Sequence, residues 1–160
     1  MTIKIGDAMP AGTFGEMTEN GPSTVTTDEL FAGKKVVLFA VPGAFTPNCS
    51  AQHVPGFLAN VDAIDAKGVD AVACMSVNDV FVMAAWGREL GVGDNIRMLA
   101  DGNGDYAIAL GLDADSRPFN MGIRSRRFAM VVDDGIVKSI AVDEPGQFEI
   151  TSAESVLAQL

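Results

Sequence analysis

Cys49 stands just after a Thr-Pro pair in the segment VPGAFTPNCSAQHVPGF, which runs from Val41 to Phe57. The apolar run Val36-Val37-Leu38-Phe39-Ala40 leads into it and reads as a buried strand. A helix opening at Thr46-Pro47 sets Cys49 in its first turn. There the unpaired backbone N–H groups and the positive end of the helix dipole stabilise a thiolate. A thiolate held at neutral pH is a nucleophile. Free cysteine is often no more than a small buried hydrophobe. Here, however, the polar neighbours Asn48, Ser50 and Gln52 mark a loop-to-helix junction and favour a reactive thiol.

The residues around Cys49 each have a chemical and a structural reading. Thr46, three residues earlier, either caps the helix or donates its hydroxyl to the sulfur or to a bound oxygen. One hydroxyl hydrogen cannot serve two acceptors at once. Pro42 either lines the same pocket and keeps water from the thiolate or only shapes the Val-Pro-Gly turn. Strand alternation sends Arg126 and Arg127 to opposite faces, so one of them can point inward, where it needs an anionic partner. The Cys49 thiolate is such a partner, while Arg124 reads as a solvated charge. His53, the one histidine, falls on the face of Cys49 in a regular helix and acts as a base, an orienting group or a satisfied core residue. Cys74, amid Val-Ala-Cys-Met-Ser-Val, reads as inert packing. As a resolving thiol its α-carbon must come within about 7 Å of that of Cys49.

Two cysteines and one histidine fall short of a four-ligand zinc set. A Cys–His protease also needs a third orienting group and an oxyanion hole, neither of which is evident.

The 160 residues suit one domain, and 48% hydrophobic with 20% charged residues suit a packed globule. A formal net charge of -10 argues against nucleic acid or an anionic membrane as partner. The N-terminal MTIKIGDAMP resembles neither a signal nor a transit peptide, and the thiols form no disulfide scaffold; both point to a cytoplasmic protein.

Residues 1–27 predict a β-hairpin, and Asp28 a cap for a short helix through Phe31. Strands follow at 36–41, 69–77 and 97–100, and helices at 47–67, kinked by Pro55, from the Asn78-Asp79 cap to Leu90, and at 105–110. Asp133-Asp134-Gly135 joins strands 128–132 and 136–142 in a hairpin. Thr151 with Glu154 forms a capping box for a final helix. The order predicts a mixed sheet with helices on both faces, the layout of a thioredoxin-like α/β domain.

With these pieces placed, PGAFTPNCSAQHVPGF resembles the active-site segment of peroxiredoxins, in particular the peroxiredoxin-5 or plant type II group. The likeness extends through KGVDAVACMSVNDVFVMAAWGREL, LADGNGDYAIALGL and RSRRFAMVVDDGIVKSI. It implies a thiol peroxidase acting on hydrogen peroxide and alkyl hydroperoxides, without a metal, haem or flavin cofactor. Cys49 is then the peroxidatic cysteine, Thr46 a hydrogen-bond partner of the peroxide and Pro42 a shield. Arg127 stabilises the thiolate, with Arg124 a neighbouring auxiliary. The resemblance also implies a homodimer. Some members carry a resolving cysteine near the C-terminus; this chain has Phe148-Glu149-Ile150-Thr151 there. Cys74 matches the second cysteine of plant-type members, which leaves either Cys74 with thioredoxin or an external thiol, glutathione or glutaredoxin, as reductant. The rival readings are a general thiol–disulfide oxidoreductase, disfavoured by the missing CxxC pair, and a non-enzymatic thioredoxin-like binding module.

Overall fold

A computed structural model describes all residues, 1–160. The chain opens with the hairpin β1 (Thr13–Thr18) and β2 (Gly21–Thr26), then α1 (Thr27–Phe31) and β3 (Lys35–Ala40). A helical segment follows: a π turn (Cys49–His53) that passes directly into α2 (Val54–Asp65). Next come β4 (Ala71–Ser76), α3 (Val80–Leu90), β5 (Arg97–Ala100) and α4 (Asp105–Leu110). The chain then makes β6 (Asp113–Asp115), a 3-10 turn (Arg117–Phe119) and β7 (Ile123–Ser125), and ends with β8 (Phe128–Asp133), β9 (Ile136–Val142) and α5 (Ala153–Leu157).

Seven strands form one sheet in the order β2-β1-β5-β4-β3-β8-β9. β3, β4 and β5 run parallel, and β1, β8 and β9 are added antiparallel at the two sides. This is the thioredoxin-like arrangement. The central strands carry unbroken apolar runs because both faces of the sheet are covered. Val37 and Phe39 of β3 pack with Phe57, Ile64, Trp86 and Val156 on the face of α2, α3 and α5. Val36, Leu38 and Ala40 pack on the other face with Leu30, Phe31, Ala107 and Leu110 from α1 and α4. Cys49 and Cys74 both belong to the first of these layers.

The local signals place the elements with small corrections. Thr26, not Asp28, caps α1, and its capping box with Glu29 is complete. Asp79 caps α3 by accepting from the Val82 N–H, and Gly91 ends it in the left-handed region. Ser152, not Thr151, caps α5; the Thr151 hydroxyl instead donates to Asp143 at 2.7 Å. The kink expected at Pro55 takes another form. Pro55 lies in the first turn of α2, and the turn before it widens to the i→i+5 pattern, with the Val54 N–H donating to the Cys49 carbonyl. The small sheet of β6 and β7 has no counterpart in the sequence reading. Its three-residue strands, mostly polar, are too short to show a period.

Candidate active site

The end of β3 delivers the chain to the turn Pro42-Gly43-Ala44-Phe45. A Cβ at Gly43 would lie 3.1 Å from both the Arg124 Nη1 and the Thr46 Cγ2, so a larger residue there would crowd both side chains. Phe45 takes a positive φ of 64°, uncommon for an aromatic residue. Its strained backbone sets Thr46 at the head of the helix, where the Ser50 N–H donates to the Thr46 carbonyl at 3.0 Å. Asn78 steadies the turn by accepting from the Ala44 N–H at 3.0 Å and from the Ser76 hydroxyl at 2.6 Å.

Cys49 starts the π turn with its side chain directed inward. It is fully buried, more enclosed than its exposed neighbours Asn48 and Gln52 suggest. The sulfur is nevertheless not sealed in hydrocarbon. The Thr46 hydroxyl lies 2.8 Å from Sγ, and Arg127 Nη2 donates to it at 3.2 Å. The same hydroxyl lies 2.7 Å from the Gly43 carbonyl. Turned to the sulfur, it supports a thiolate. Turned to Gly43, it leaves a lone pair free to accept from an S–H or an O–H.

Arg127 immediately precedes β8, and its side chain is almost wholly buried. Of the two residues that alternation separates, it is the inward one. Arg126 is partly exposed and donates to the Asp143 carbonyl at 3.2 Å. No carboxylate pairs with Arg127: its partners are the sulfur, the ring of His53 and the face of Phe148, whose centroid lies 5.5 Å away.

His53 closes the π turn. The extra residue of that turn displaces it from the regular i+4 position, so it faces Arg127 while remaining close to Cys49 in sequence. Its Nδ1 lies 2.7 Å from Arg127 Nη1 and its Nε2 lies 3.0 Å from the Thr151 carbonyl. A carbonyl can only accept and a guanidinium only donate, so the ring is the neutral tautomer carrying its hydrogen on Nε2. Phe39, Phe57 and Phe148 surround it with centroids 4.9, 5.5 and 4.8 Å away. Burial in this aromatic cage, reinforced by the Arg127 charge, pushes the His53 pKa down to about 3. The neutral ring thus presents its Nδ1 lone pair to Arg127.

The depressed value has a consequence for stability. The unfolded chain protonates His53 near its ordinary 6.5, whereas the folded chain resists protonation down to about 3. Its contribution to stability is complete above that ordinary value and is lost as pH falls towards the folded value. Denaturant midpoints measured across this range should fall less steeply for His53→Asn than for the wild type.

Arg124 is not joined to the sulfur. Its Nε donates to the Met121 carbonyl at 2.7 Å and its Nη1 to the Val77 carbonyl at 3.2 Å, tying the segment before β7 to the end of β4. Cys74 is fully buried and unpaired, opposite Phe39 in the sheet register. Burial pushes its thiol well above the ordinary range, and the neighbouring Cys49 adds to that shift. A cavity of about 410 Å3 lies over the site, and Pro42, Thr46 and Arg127 are in its wall with Met121, Phe119 and Pro145. Sequence reasoning missed Thr151 and Phe148, whose parts are a backbone carbonyl and a packed ring. It also missed the Trp86 Nε1–H bond to the Ser50 hydroxyl at 2.9 Å, which braces the π turn against α3.

The arrangement, a buried cysteine flanked by hydroxyl and guanidinium donors on a thioredoxin-like sheet, defines a thiol-based redox protein. Comparison with known proteins agrees. The Redoxin family matches residues 4–157. Peroxiredoxin-2E, chloroplastic, of Arabidopsis thaliana is 47% identical over 99% of this chain and 70% of its own length. Peroxiredoxin-2D of the same plant is 45% identical over 99% of this chain and 98% of its own. The crystal structure of reduced Prx3 of Vibrio vulnificus in complex with hydrogen peroxide superposes with a TM-score of 0.94 at 48% identity, covering 98% of both chains. The chain belongs to the redoxin family and, within it, to the peroxiredoxins of the plant type II and peroxiredoxin-5 group. It is a thiol-dependent peroxidase.

The cytoplasmic expectation does not stand. Relatives that match almost the whole chain are chloroplastic in Arabidopsis and rice, and a further one is mitochondrial. Free thiols are compatible with any reducing compartment, so they do not single out the cytoplasm.

Proposed function

We propose that Cys49 is the peroxidatic residue and that it reduces hydrogen peroxide and alkyl hydroperoxides with Thr46 and Arg127 as its working partners. The observation that carries this reading is the sulfur with a hydroxyl 2.8 Å and a guanidinium nitrogen 3.2 Å away, both at the wall of one cavity. A buried cation without a carboxylate partner is costly. The anion that balances Arg127 is the Cys49 thiolate.

A hydroperoxide enters between Pro42, Thr46 and Arg127. The sulfur attacks the terminal oxygen in line with the O–O bond. An S–O bond forms with the sulfur electron pair, the O–O bond breaks, and the leaving alkoxide or hydroxide takes a proton to become alcohol or water. Sulfur is oxidised by two electrons to sulfenic acid, and the peroxide is reduced. Arg127 and Thr46 act by lowering the energy of the charge that moves from sulfur to the leaving oxygen. Pro42, which has no N–H, presents an apolar wall to that charge.

The sulfenic acid is returned to the thiol by a second thiol before further oxidation. We assign this step to an external thiol, glutathione or glutaredoxin, with thioredoxin the alternative reductant through Cys74. The raised thiol of Cys74 supports that preference, because little of it is present as the attacking thiolate. Cys74→Ser is expected to keep its turnover with glutathione and glutaredoxin. Mass spectrometry after one equivalent of peroxide, with and without glutathione, distinguishes the routes. A glutathione adduct on Cys49 supports the external thiol, and a Cys49–Cys74 link overturns it. A homodimer belongs to the same reading: Phe45 and Phe81 are large, exposed apolar side chains that a second copy would cover. Light scattering of the purified chain tests it.

A further inference from the structure

Asp143 takes no part in the chemistry described, yet it is buried and gathers a set of bonds around itself. It directly follows β9, and its N–H donates to the Arg127 carbonyl at 3.0 Å. Its own carbonyl accepts from Arg126 at 3.2 Å. Its carboxylate accepts from the Glu149 N–H at 3.1 Å, the Ile150 N–H at 2.9 Å and the Thr151 hydroxyl at 2.7 Å. Burial alone pushes the Asp143 carboxyl up. The donors at Ile150, Thr151 and Glu149 outweigh it and hold the carboxyl below its ordinary value, so the group is a carboxylate across the neutral range.

The residues that this carboxylate gathers are those that hold His53. Its three donors fix residues 149–151, and the Thr151 carbonyl at the end of that run accepts from His53 Nε2. With that hydrogen committed, His53 Nδ1 is an acceptor facing Arg127 Nη1, and the other arm of the guanidinium reaches the sulfur. Phe148, inside the loop that the carboxylate closes, lies over both His53 and Arg127. One clamp thus sets the carbonyl that chooses the tautomer and the ring that covers it.

We propose that Asp143 is a positioning residue for the peroxidase reaction: it clamps the loop before α5 so that Thr151 and His53 aim Arg127 at Cys49. The proposal rests on Arg127 acting at the sulfur. Buried carboxylates often only close loops, and such a role lowers stability without reaching Arg127 in particular. The test therefore compares a rate with a background in which the route through His53 is cut.

The measurement is the single-turnover rate constant for oxidation of Cys49 by hydrogen peroxide, taken with the melting temperature of each variant. Asp143→Ala is expected to react about ten- to a hundredfold more slowly than wild type, the order of loss when a reacting group is present but misplaced. His53→Gln retains an amide able to reach Thr151 but offers no acceptor at the Nδ1 position. In that background Asp143→Ala should cost less than about twofold further, because coupled residues are not additive. If Asp143→Ala does not fold, Asp143→Asn preserves its shape and is measured in its place. A rate equal to wild type overturns the proposal, as does a loss of the same size in the His53→Gln background. Arg127→Gln is run alongside. If it reacts like wild type, the role of Arg127 falls and this proposal with it. If it is slow while the Asp143 variants are fast, only the proposal for Asp143 falls.

Discussion

Cys49→Ser is expected to lose hydroperoxide turnover completely, to the level of buffer without protein. Serine is nearly isosteric with cysteine and keeps polar partners at Thr46 and Arg127, so the fold should survive. Its oxygen is neither ionised near neutral pH nor able to take up the peroxide oxygen as a sulfenic acid. No other group can substitute: Cys74 is fully buried and unpaired, and its thiol is pushed up by burial. Peroxide consumption with glutathione and glutaredoxin in excess measures this directly. Turnover retained by the variant would place the chemistry elsewhere.

Arg127→Gln carries the second-largest effect, a fall in the rate of peroxide reduction of about 10²- to 10³-fold, or about 2.7–4 kcal/mol of barrier. Arg127 spans two partners, Cys49 Sγ at 3.2 Å and His53 Nδ1 at 2.7 Å. A glutamine amide is shorter and uncharged, and it cannot balance the negative charge leaving the sulfur. Removing the guanidinium takes the donor from the buried His53 Nδ1 and the countercharge from the sulfur, so some loss of stability accompanies the loss of rate. The expected signature is therefore a large loss of rate measured well below the melting temperature, where the variant is still fully folded. A rate near wild type would remove the guanidinium from the mechanism. Arg127→Lys should fall between the two, since a lysine supplies charge but not the forked geometry.

The part of the site that follows from sequence is the part built from neighbouring residues. Thr46, Pro47 and Cys49 lie within one helical turn, so a proline at the helix start with a threonine ahead of it brings the hydroxyl within reach of the sulfur, while leaving open whether it caps the helix or meets Sγ. Strand alternation narrows the inward arginine to Arg126 or Arg127, the family resemblance selects Arg127, and the structure buries it. His53 shows where local reasoning fails. A regular helix would set it one turn above Cys49, but the π turn adds a residue and directs it to Arg127. Nothing within 49–53 announces that widening; the missing N–H of Pro55 hinted only at a kink. The same limit applies to Thr151. Its sequence neighbourhood reads as a helix cap, and its actual bonds go to Asp143 and His53, 8 and 98 residues away.

The sheet was legible for a related reason. Strands β3, β4 and β8 are short apolar runs bounded by turn residues, and β8 and β9 are joined by Asp134-Gly135, with Asp134 and Gly135 both at positive φ as a tight hairpin requires. Strand order depends on contacts between distant segments and was not legible. Neither was the small sheet of β6 and β7, which carries Arg124 to its place against Met121 and Val77.

Peroxide oxygen is expected to arrive at one sulfur, held by a threonine hydroxyl and an arginine that no acid neutralises. The direct check is to expose the reduced chain to one equivalent of hydrogen peroxide, trap sulfenic acid at once and map the modified residue by mass spectrometry. A single oxygen on Cys49, with Cys74 and the methionines unchanged, is the result expected. Peroxide consumed while Cys49 stays a free thiol, with the oxygen on Cys74 or a methionine, would contradict it.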